Sequence, residues 1–400
     1  MKEGWTYKKL GEVATFARGL TYSKKDEVDF SANVVLRSNN IDLSSGKLDF
    51  SELKYLEKGF DIPPEKRVKK GSIFICMSNG SKAHLGKVAY VDKDYNYAFG
   101  GFMGQITPNN EVDGLYLHYV LSSPVYKDYI KSLSEGANIN NLKFKDLSEF
   151  VIAYPSLSEQ HSIVSHLDVA FAHIDALKAN AEKQLAEASQ LFQAELTECM
   201  RQKEGWEEKK MSDFFEITSS KRVFQKDWTT SGIPFYRARE IVKINKQGFV
   251  DNELFITEEM YEEYKKKYGV PQIGDILITG VGTLGVCYVI KDSKKFYYKD
   301  GNIIWLKKKS SINSDFVTYQ YLCPSIKKQI YKTEGATVGT YTITNANDTK
   351  ILVPSIETQN QIVSRLDALS ANIKQLEEVK RKTLAECDAL KQAMLREVFE

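Results

Sequence analysis

The chain has 400 residues, 42% of them hydrophobic, with 55 Lys+Arg against 53 Asp+Glu and a formal net charge of +2. That length supports more than one folded core, and so small a net charge argues at first against a nucleic-acid binder. No segment approaches the roughly 18 apolar residues of a membrane span, and the opening MKEGWTYKKL lacks a secretory apolar core, so a soluble cytoplasmic chain is expected. The five cysteines (Cys76, Cys199, Cys287, Cys323, Cys387) are scattered and form no CxxC pair, which suits reduced thiols rather than a disulfide frame or zinc site.

Residues 1–155 read as a first globular block. Short β-type runs (SIFICM, KVAYV, EFVIAY) alternate with Gly and Asn turns, and a helical piece is expected over Leu115–Leu133. Gly80-SKAHL-Gly86-Lys87 resembles a phosphate-binding loop, but it has five intervening residues and Val88 where Ser or Thr should stand.

From 156 to 203 the reading changes to one long helix, free of Pro and Gly from Ser158 to Glu204. Ile163, Leu167, Ala170, Ile174, Leu177, Ala181, Ala188 and Leu191 follow the 4–3 alternation of a coiled-coil seam, with Ser158 as the expected N-cap. His161, His166 and His173 fall in this helix as solvated positions, not metal ligands.

Residues 204–354 form a second block with runs DILIT, VCYVI and NIIWL and a helical piece at Asp315–Lys332. Gly280-Val-Gly-Thr-Leu-Gly285 spells GxGxxG after a strand, yet the following VCYVI is a strand and not a helix, so the run reads as a hairpin loop. Residues 355–400 repeat the long helix, with Thr358 and Gln361 as an expected capping box and Ile362, Leu366, Leu369, Ile373, Leu376, Cys387, Leu390 and Met394 along its seam.

The chain is an internal repeat. PSLSEQHSIVSHLD, from Pro155 to Asp168, returns 199 residues later as PSIETQNQIVSRLD, from Pro354 to Asp367, with eight of fourteen positions identical. Two helices of about 45 residues, each about 68 Å long, most simply pack on each other as an antiparallel coiled coil about a pseudo-twofold axis. The expected class is α+β: two globular blocks separated by that helix pair, which would hold them at opposite ends of a stiff spacer. The small positive excess lies in the blocks and the negative excess in the helices. No methyltransferase tetrapeptide, ATPase motif or HExxH occurs, and no enzymatic role is expected.

These two helix-entry motifs resemble the specificity subunits of type I restriction–modification systems. GWTYKKLGEVATFARG and GWEEKKMSDFFEITSS are similar to the start of each of that family's target-recognition domains, and GANINNLKFKDLSEFVIAYPSLSEQ to the run into its helix. The second copy departs from the pattern at Thr358 and in GATVGTYTITNANDTKILVPS, where the first has Glu159 and an asparagine- and leucine-rich approach. The resemblance implies a chain that binds double-stranded DNA at a bipartite, non-palindromic target, one half-site per block. It implies helices that dock two methyltransferase subunits, with nuclease-motor subunits joining them. S-adenosylmethionine, ATP and magnesium would bind those partners, and this chain would hold no cofactor or metal. The competing readings are a DNA-binding adaptor or regulator acting without a methyltransferase, and a fused nuclease or methyltransferase, for which the two repeats leave no room.

Polar turns supply the expected DNA contacts, since Asn pairs with adenine and Arg with guanine edges while Lys meets phosphate. In the first block these are Arg37, Asn39, Ser78, Asn79, Ser81, Lys82, His84, Lys87, Asn138, Asn140, Asn141 and Lys143. In the second they are Arg237, Arg239, Thr279, Thr283, Thr337, Thr340, Tyr341 and Thr342. Arg37 and Arg237 rank first because each follows an apolar strand at matching positions, VVLR and PFYR. Gln160, Asp168, Gln359 and Asp367 recur at both helix entries and are expected either to dock a partner or to cap locally.

Overall fold

A computed structural model describes residues 2–43, 45–81, 84–134, 141–331 and 339–400. They divide into two compact units, Met1–Glu182 with Lys380–Glu400, and Lys183–Val379. Each of the expected β runs contributes a strand: Ile73–Cys76, Val88–Tyr90 and Val151–Tyr154 in the first unit, and Ile276–Thr279, Cys287–Val289 and Ile303–Lys308 in the second.

In the first unit a four-stranded antiparallel sheet has the order Ala14–Arg18, Met103–Pro108, Ile73–Cys76, Val88–Tyr90. Ile73–Cys76 is wholly enclosed because side chains alternate faces along a strand. Ile73 and Ile75 join Tyr116, Leu117 and Val120 of the helix Gly114–Ser122. Phe74 and Cys76 join Leu36 and Phe99 of a second sheet, ordered Glu27–Val28, Lys54–Leu56, Asn33–Leu36, Ala98–Phe99. The second unit repeats the plan with Phe215–Thr218, Ile303–Lys308, Ile276–Thr279, Cys287–Val289. Ile276 and Ile278 face Val317 and Tyr321, and Leu277 faces Tyr298 and Trp305. Its second sheet is smaller, and helices Ala238–Gln247 and Glu258–Tyr268 stand in this part of the unit.

The helical piece expected over Leu115–Leu133 is two helices, Gly114–Ser122 and Pro124–Ser134, and its counterpart is Ser314–Tyr321 and Pro324–Ile330. Proline ends one helix and suits the first turn of the next, so apolar spacing ran across a real break. Lys332 lies outside the described residues.

The long helices span Leu157–Cys199 and Ile356–Phe399, and each starts before the expected cap. Ser156 Oγ accepts from Glu159 N at 3.4 Å and Ser355 Oγ from Thr358 N at 3.3 Å, so the serine of each Pro-Ser pair is the N-cap, not Ser158 or Thr358. The seam keeps two positions per heptad, but the second is displaced from the one expected. Leu167, Ile174, Ala181 and Ala188 are buried at seven-residue intervals, in step with Gln160. Leu177, Leu191 and Leu390, expected in the seam, are exposed by half or more. Val164 is buried, and Phe171, Lys178, Leu185 and Phe192 are half-buried at the same interval, so a second contact line runs one residue beyond Ile163, Ala170, Leu177 and Leu191.

Within the first unit the two helices run antiparallel, with Lys391–Asp175 at 2.5 Å and Lys178–Asp388 at 2.7 Å. The last turn of the second helix closes this unit's core, where the Phe399 ring lies 5.5 Å from Tyr116. Within the second unit, Leu196 and Cys199 pack on Ile362, Val363 and Leu366, and Arg365 pairs with Glu195. All five cysteines are buried and unpaired. Among the described residues no helix is long and apolar enough to cross a membrane.

Candidate nucleic-acid interface

Strand register gathers the candidate loops of each unit at one sheet edge. In the first unit Cys76 pairs with Met103, Arg18 with Gly104, and Leu36 with Phe99, so four chain segments turn at the same end. Gly100 N donates to Leu36 O at 2.9 Å and Gly19 N to Met103 O at 3.1 Å, tying the two sheets together there. Ser78 bridges to Asn141, and Leu142 N donates to Met77 O at 2.7 Å, which brings the 141–143 segment to this edge. The glycine loops before Leu85 and Leu284 are hairpin connections between antiparallel strands, which removes the phosphate-loop and dinucleotide alternatives.

Arg37, Asn39, Ser78, Asn79, Ser81, Asn141 and Lys143 all sit on this edge. Arg37 is half-buried, its Nε is enclosed without a partner, and among the described residues no carboxylate pairs with it. Its backbone N–H donates to Asn40 Oδ1 at 2.8 Å, while Asn40 Nδ2 donates to Asp49 O and Glu52 O, each at 2.8 Å. Asn40 therefore holds the turn, and Asn39 is the exposed amide beside it. Asn79 Nδ2 donates to Ser38 Oγ at 3.2 Å and its Oδ1 accepts from Ser81 N at 2.9 Å. His84 is half-buried, with Nδ1 enclosed and unpartnered. Lys87 turns inward: Nζ donates to Ile41 O at 3.0 Å, and burial lowers its pKa from the usual lysine value. A phosphate contact by Lys87 would break that bond, whereas Lys143 is exposed. Lys82, Asn138, Asn140 and Thr337 lie outside the described residues.

The second unit has the same edge, set by Thr279 opposite Ile303 and by the Gly280 N to Asn302 O and Tyr341 N to Gly280 O bonds, both 2.9 Å. Four of its expected readers are already engaged. Glu240, 2% exposed, accepts from Arg237 Nε at 3.1 Å and Nη2 at 2.9 Å and from Arg239 Nε at 2.5 Å. Burial disfavours the Glu240 charge, but those hydrogen bonds outweigh it and hold the carboxyl below its usual pKa. The Arg237 fork that would read guanine is therefore occupied. Thr279 is fully buried, and its hydroxyl donates to Thr283 O and accepts from Val286 N at 3.0 Å. Tyr341, 2% exposed, shares its hydroxyl with Tyr321 at 2.9 Å and Thr349 at 2.6 Å. Thr283, Thr340 and Thr342 stay exposed, Thr342 capping the helix Ile343–Asp348.

Other residues at these edges escaped the motif search. Arg18 ends its strand and donates Nε to Gly101 O at 3.3 Å, and Phe102 is 71% exposed. Lys221 and Arg222 follow the matching strand of the second unit, Arg222 pairing with Asp300 at 3.0 Å. The available signal was position: each basic residue stands at or shortly after the end of the unit's first sheet strand, in ATFAR and FEITSSKR.

The recurrent helix-entry residues build the same joint in both units. Gln160 is fully buried: its Oε1 accepts from Asp113 N at 2.8 Å, and Nε2 donates to Glu111 O and Pro155 O, each at 2.9 Å. Gln359, 3% exposed, does the same with Asn313 N and Pro354 O, both at 2.9 Å. Asp168 accepts from Tyr119 OH, and Asp367 from Tyr319 OH at 2.5 Å. Each pair clips a long helix to the short helix that begins at Gly114 or Ser314. Partner docking by Gln160 and Gln359 is thus corrected: a side chain enclosed with its amide engaged offers nothing to another protein. Asp168 and Asp367 remain exposed on one side.

Among the described residues no group of three or more His, Cys, Asp or Glu side chains could hold a metal ion. A family model described as type I restriction modification DNA specificity domain matches residues 2–187 and again 203–386. The chain is 26% identical to the type I restriction enzyme EcoKI specificity subunit of Escherichia coli (strain K12), over all of this chain and 89% of that one. It is also 26% identical to the StySPI specificity subunit of Salmonella potsdam, with the same coverage. Its fold matches a chain solved in a study of complex assembly and conformational transition of the type I R-M system, with TM-score 0.76 and 19% identity over 99% of this chain and 97% of that one. It also matches the HsdS subunit of Thermoanaerobacter tengcongensis, with TM-score 0.56 and 18% identity over 100% and 97%. Two matches to one domain model, each running into a long helix, therefore cover almost the whole length, and the chain belongs to the type I restriction modification DNA specificity family.

Proposed function

We propose that this chain is the specificity subunit of a type I restriction–modification complex, reading a bipartite duplex target with one half-site per unit. The observation that carries the reading is the paired edge. Each unit turns its strand ends into one surface of amide, hydroxyl and guanidinium groups, and the two surfaces differ in side chains, so the halves of the target differ and the whole is non-palindromic. The family disfavours an adaptor acting without a methyltransferase. Two methyltransferase subunits bring S-adenosylmethionine, nuclease-motor subunits bring ATP and magnesium, and this chain contributes recognition and scaffolding with no covalent step of its own. The long helices set the gap between half-sites, and their exposed faces are where partners dock.

Arg37 tests the reading most simply, because among the described residues no carboxylate occupies its fork. Arg37→Ala should weaken binding to the cognate duplex by about 1–3 kcal/mol and relax preference at one base pair, with the salt dependence unchanged. Titration of the assembled complex at several salt concentrations checks this. An equal loss on all sequences with a shallower salt slope would make Arg37 a phosphate contact and remove it from base reading.

A further inference from the structure

Phe102 holds a phenyl ring in water, 71% exposed, on backbone that cannot easily withdraw it. It is the third residue of a turn closed by Met103 N donating to Gly100 O at 2.8 Å. Its own carbonyl accepts from Met77 N at 2.9 Å and Ser78 N at 3.1 Å, and Gly100 N is tied to Leu36 O. A Cβ at Gly19 would stand 2.0 Å from Gly100 O, so the neighbouring strand approaches the turn as closely as glycine permits. The residue is therefore fixed between the Ser78–Ser81 loop, whose backbone it bonds, and the Arg18 guanidinium, which donates to Gly101 O.

The second unit has the same backbone slot with a different side chain. There Gly280 N donates to Asn302 O at 2.9 Å, as Met77 and Ser78 donate to Phe102 O. A slot that is kept while its side chain changes from apolar to amide is suited to discrimination. The surrounding groups, Arg37, Asn79, Ser81 and Asn141, match the polar edges of bases. The apolar feature of a base edge in the major groove is the C5-methyl of thymine.

We infer that the Phe102 ring packs on the C5-methyl of a thymine in the half-site read by the first unit. This rests on the function proposed above and names one base contact within it. The test uses the full chain assembled with its methyltransferase subunits and cognate duplexes in which each thymine of that half-site is replaced singly by deoxyuridine. One replacement should weaken wild-type binding roughly fourfold, the loss of one buried methyl. Phe102→Ala should weaken binding to the unmodified duplex by roughly tenfold or more and bind the sensitive deoxyuridine duplex no worse. Phe102→Leu, which keeps an apolar group there, should retain part of the methyl sensitivity. The inference is overturned if no thymine is methyl-sensitive, if the sensitivity survives in Phe102→Ala, or if Phe102→Ala binds as tightly as the wild type. A Phe102→Ala loss without methyl sensitivity, with 2-aminopurine reporting an unstacked step in the wild-type complex, assigns a wedge and overturns the methyl contact. Wild type that fails to prefer cognate over scrambled duplex sinks the function and the inference together; discrimination left intact by Phe102→Ala sinks the inference alone.

Discussion

Replacing Glu240 by alanine should destabilise the second unit by about 3–5 kcal/mol, the usual consequence of removing one partner of a buried ion pair. Glu240 is the shared acceptor for Arg237 and Arg239, it accepts the Arg237 backbone N–H at 2.9 Å, and it lies in the first turn of Ala238–Gln247, where negative charge suits the helix dipole. Its loss leaves a half-buried guanidinium without its acceptor at the junction of helix and strand. Thermal unfolding should show a drop of roughly 2–4 °C per kcal/mol for a unit of this size. Glu240→Gln keeps the shape and reports the charge. Because the folded carboxyl titrates below its usual value, the stability it adds is complete above the unfolded pKa and is lost as pH falls through the folded one. Wild type should therefore lose more stability than Glu240→Gln below about pH 4.3, the ordinary glutamate value. Parallel acid denaturation curves, or an alanine variant as stable as wild type, would remove the ion pair from the account.

The second large effect concerns the gap in the target. The long helices run unbroken through the residues shared out between the two units, Leu157–Cys199 and Ile356–Phe399. Seven residues inserted into each helix at matched positions keep the seven-residue stripe of buried side chains in phase, since a heptad returns the helical face to within about 20°. Each insertion adds about 10.5 Å, close to three base-pair rises of 3.4 Å. Methylation at the native target should disappear, and methylation should appear at a target with the same two half-sites and a gap about three base pairs longer. A methylome with altered half-sites and an unaltered gap would contradict the spacer role of the helices. Insertion of two residues, which turns the rest of each helix by about 200° and takes the stripe off its partner, should abolish modification instead of redirecting it.

How much could be read in advance depended on the range of the forces involved. Strands such as Ile73–Cys76 and Ile276–Thr279 were legible because an apolar run enclosed on both faces carries its own signature. The long helices were legible from their heptad periodicity, but their caps were misplaced by two residues in the first and three in the second, because Ser156 and Ser355 precede the periodic positions. The second line of the seam was set one residue off: Leu177 and Leu191 match a heptad, yet Lys178 and Phe192 are the half-buried neighbours, because burial depends on a partner helix that periodicity cannot see. The candidate loops come together at one end of the sheets in each unit, whereas the engagement of their side chains was not legible. Arg237 and Glu240 are three residues apart and could have been paired by local spacing. Thr279 and Tyr341 are removed from the surface by tertiary contacts with Val286, Tyr321 and Thr349. Gln160 and Gln359 recur because the same joint, to Asp113 N and Asn313 N, is built twice.

The account turns on two unlike reading surfaces acting at a set distance. Mapping methylated bases genome-wide in a host that carries this chain with its methyltransferase subunits measures that directly. The expected result is one asymmetric motif of two different short sequences separated by an unread gap of constant length. A single uninterrupted motif, or two identical inverted halves, would contradict it.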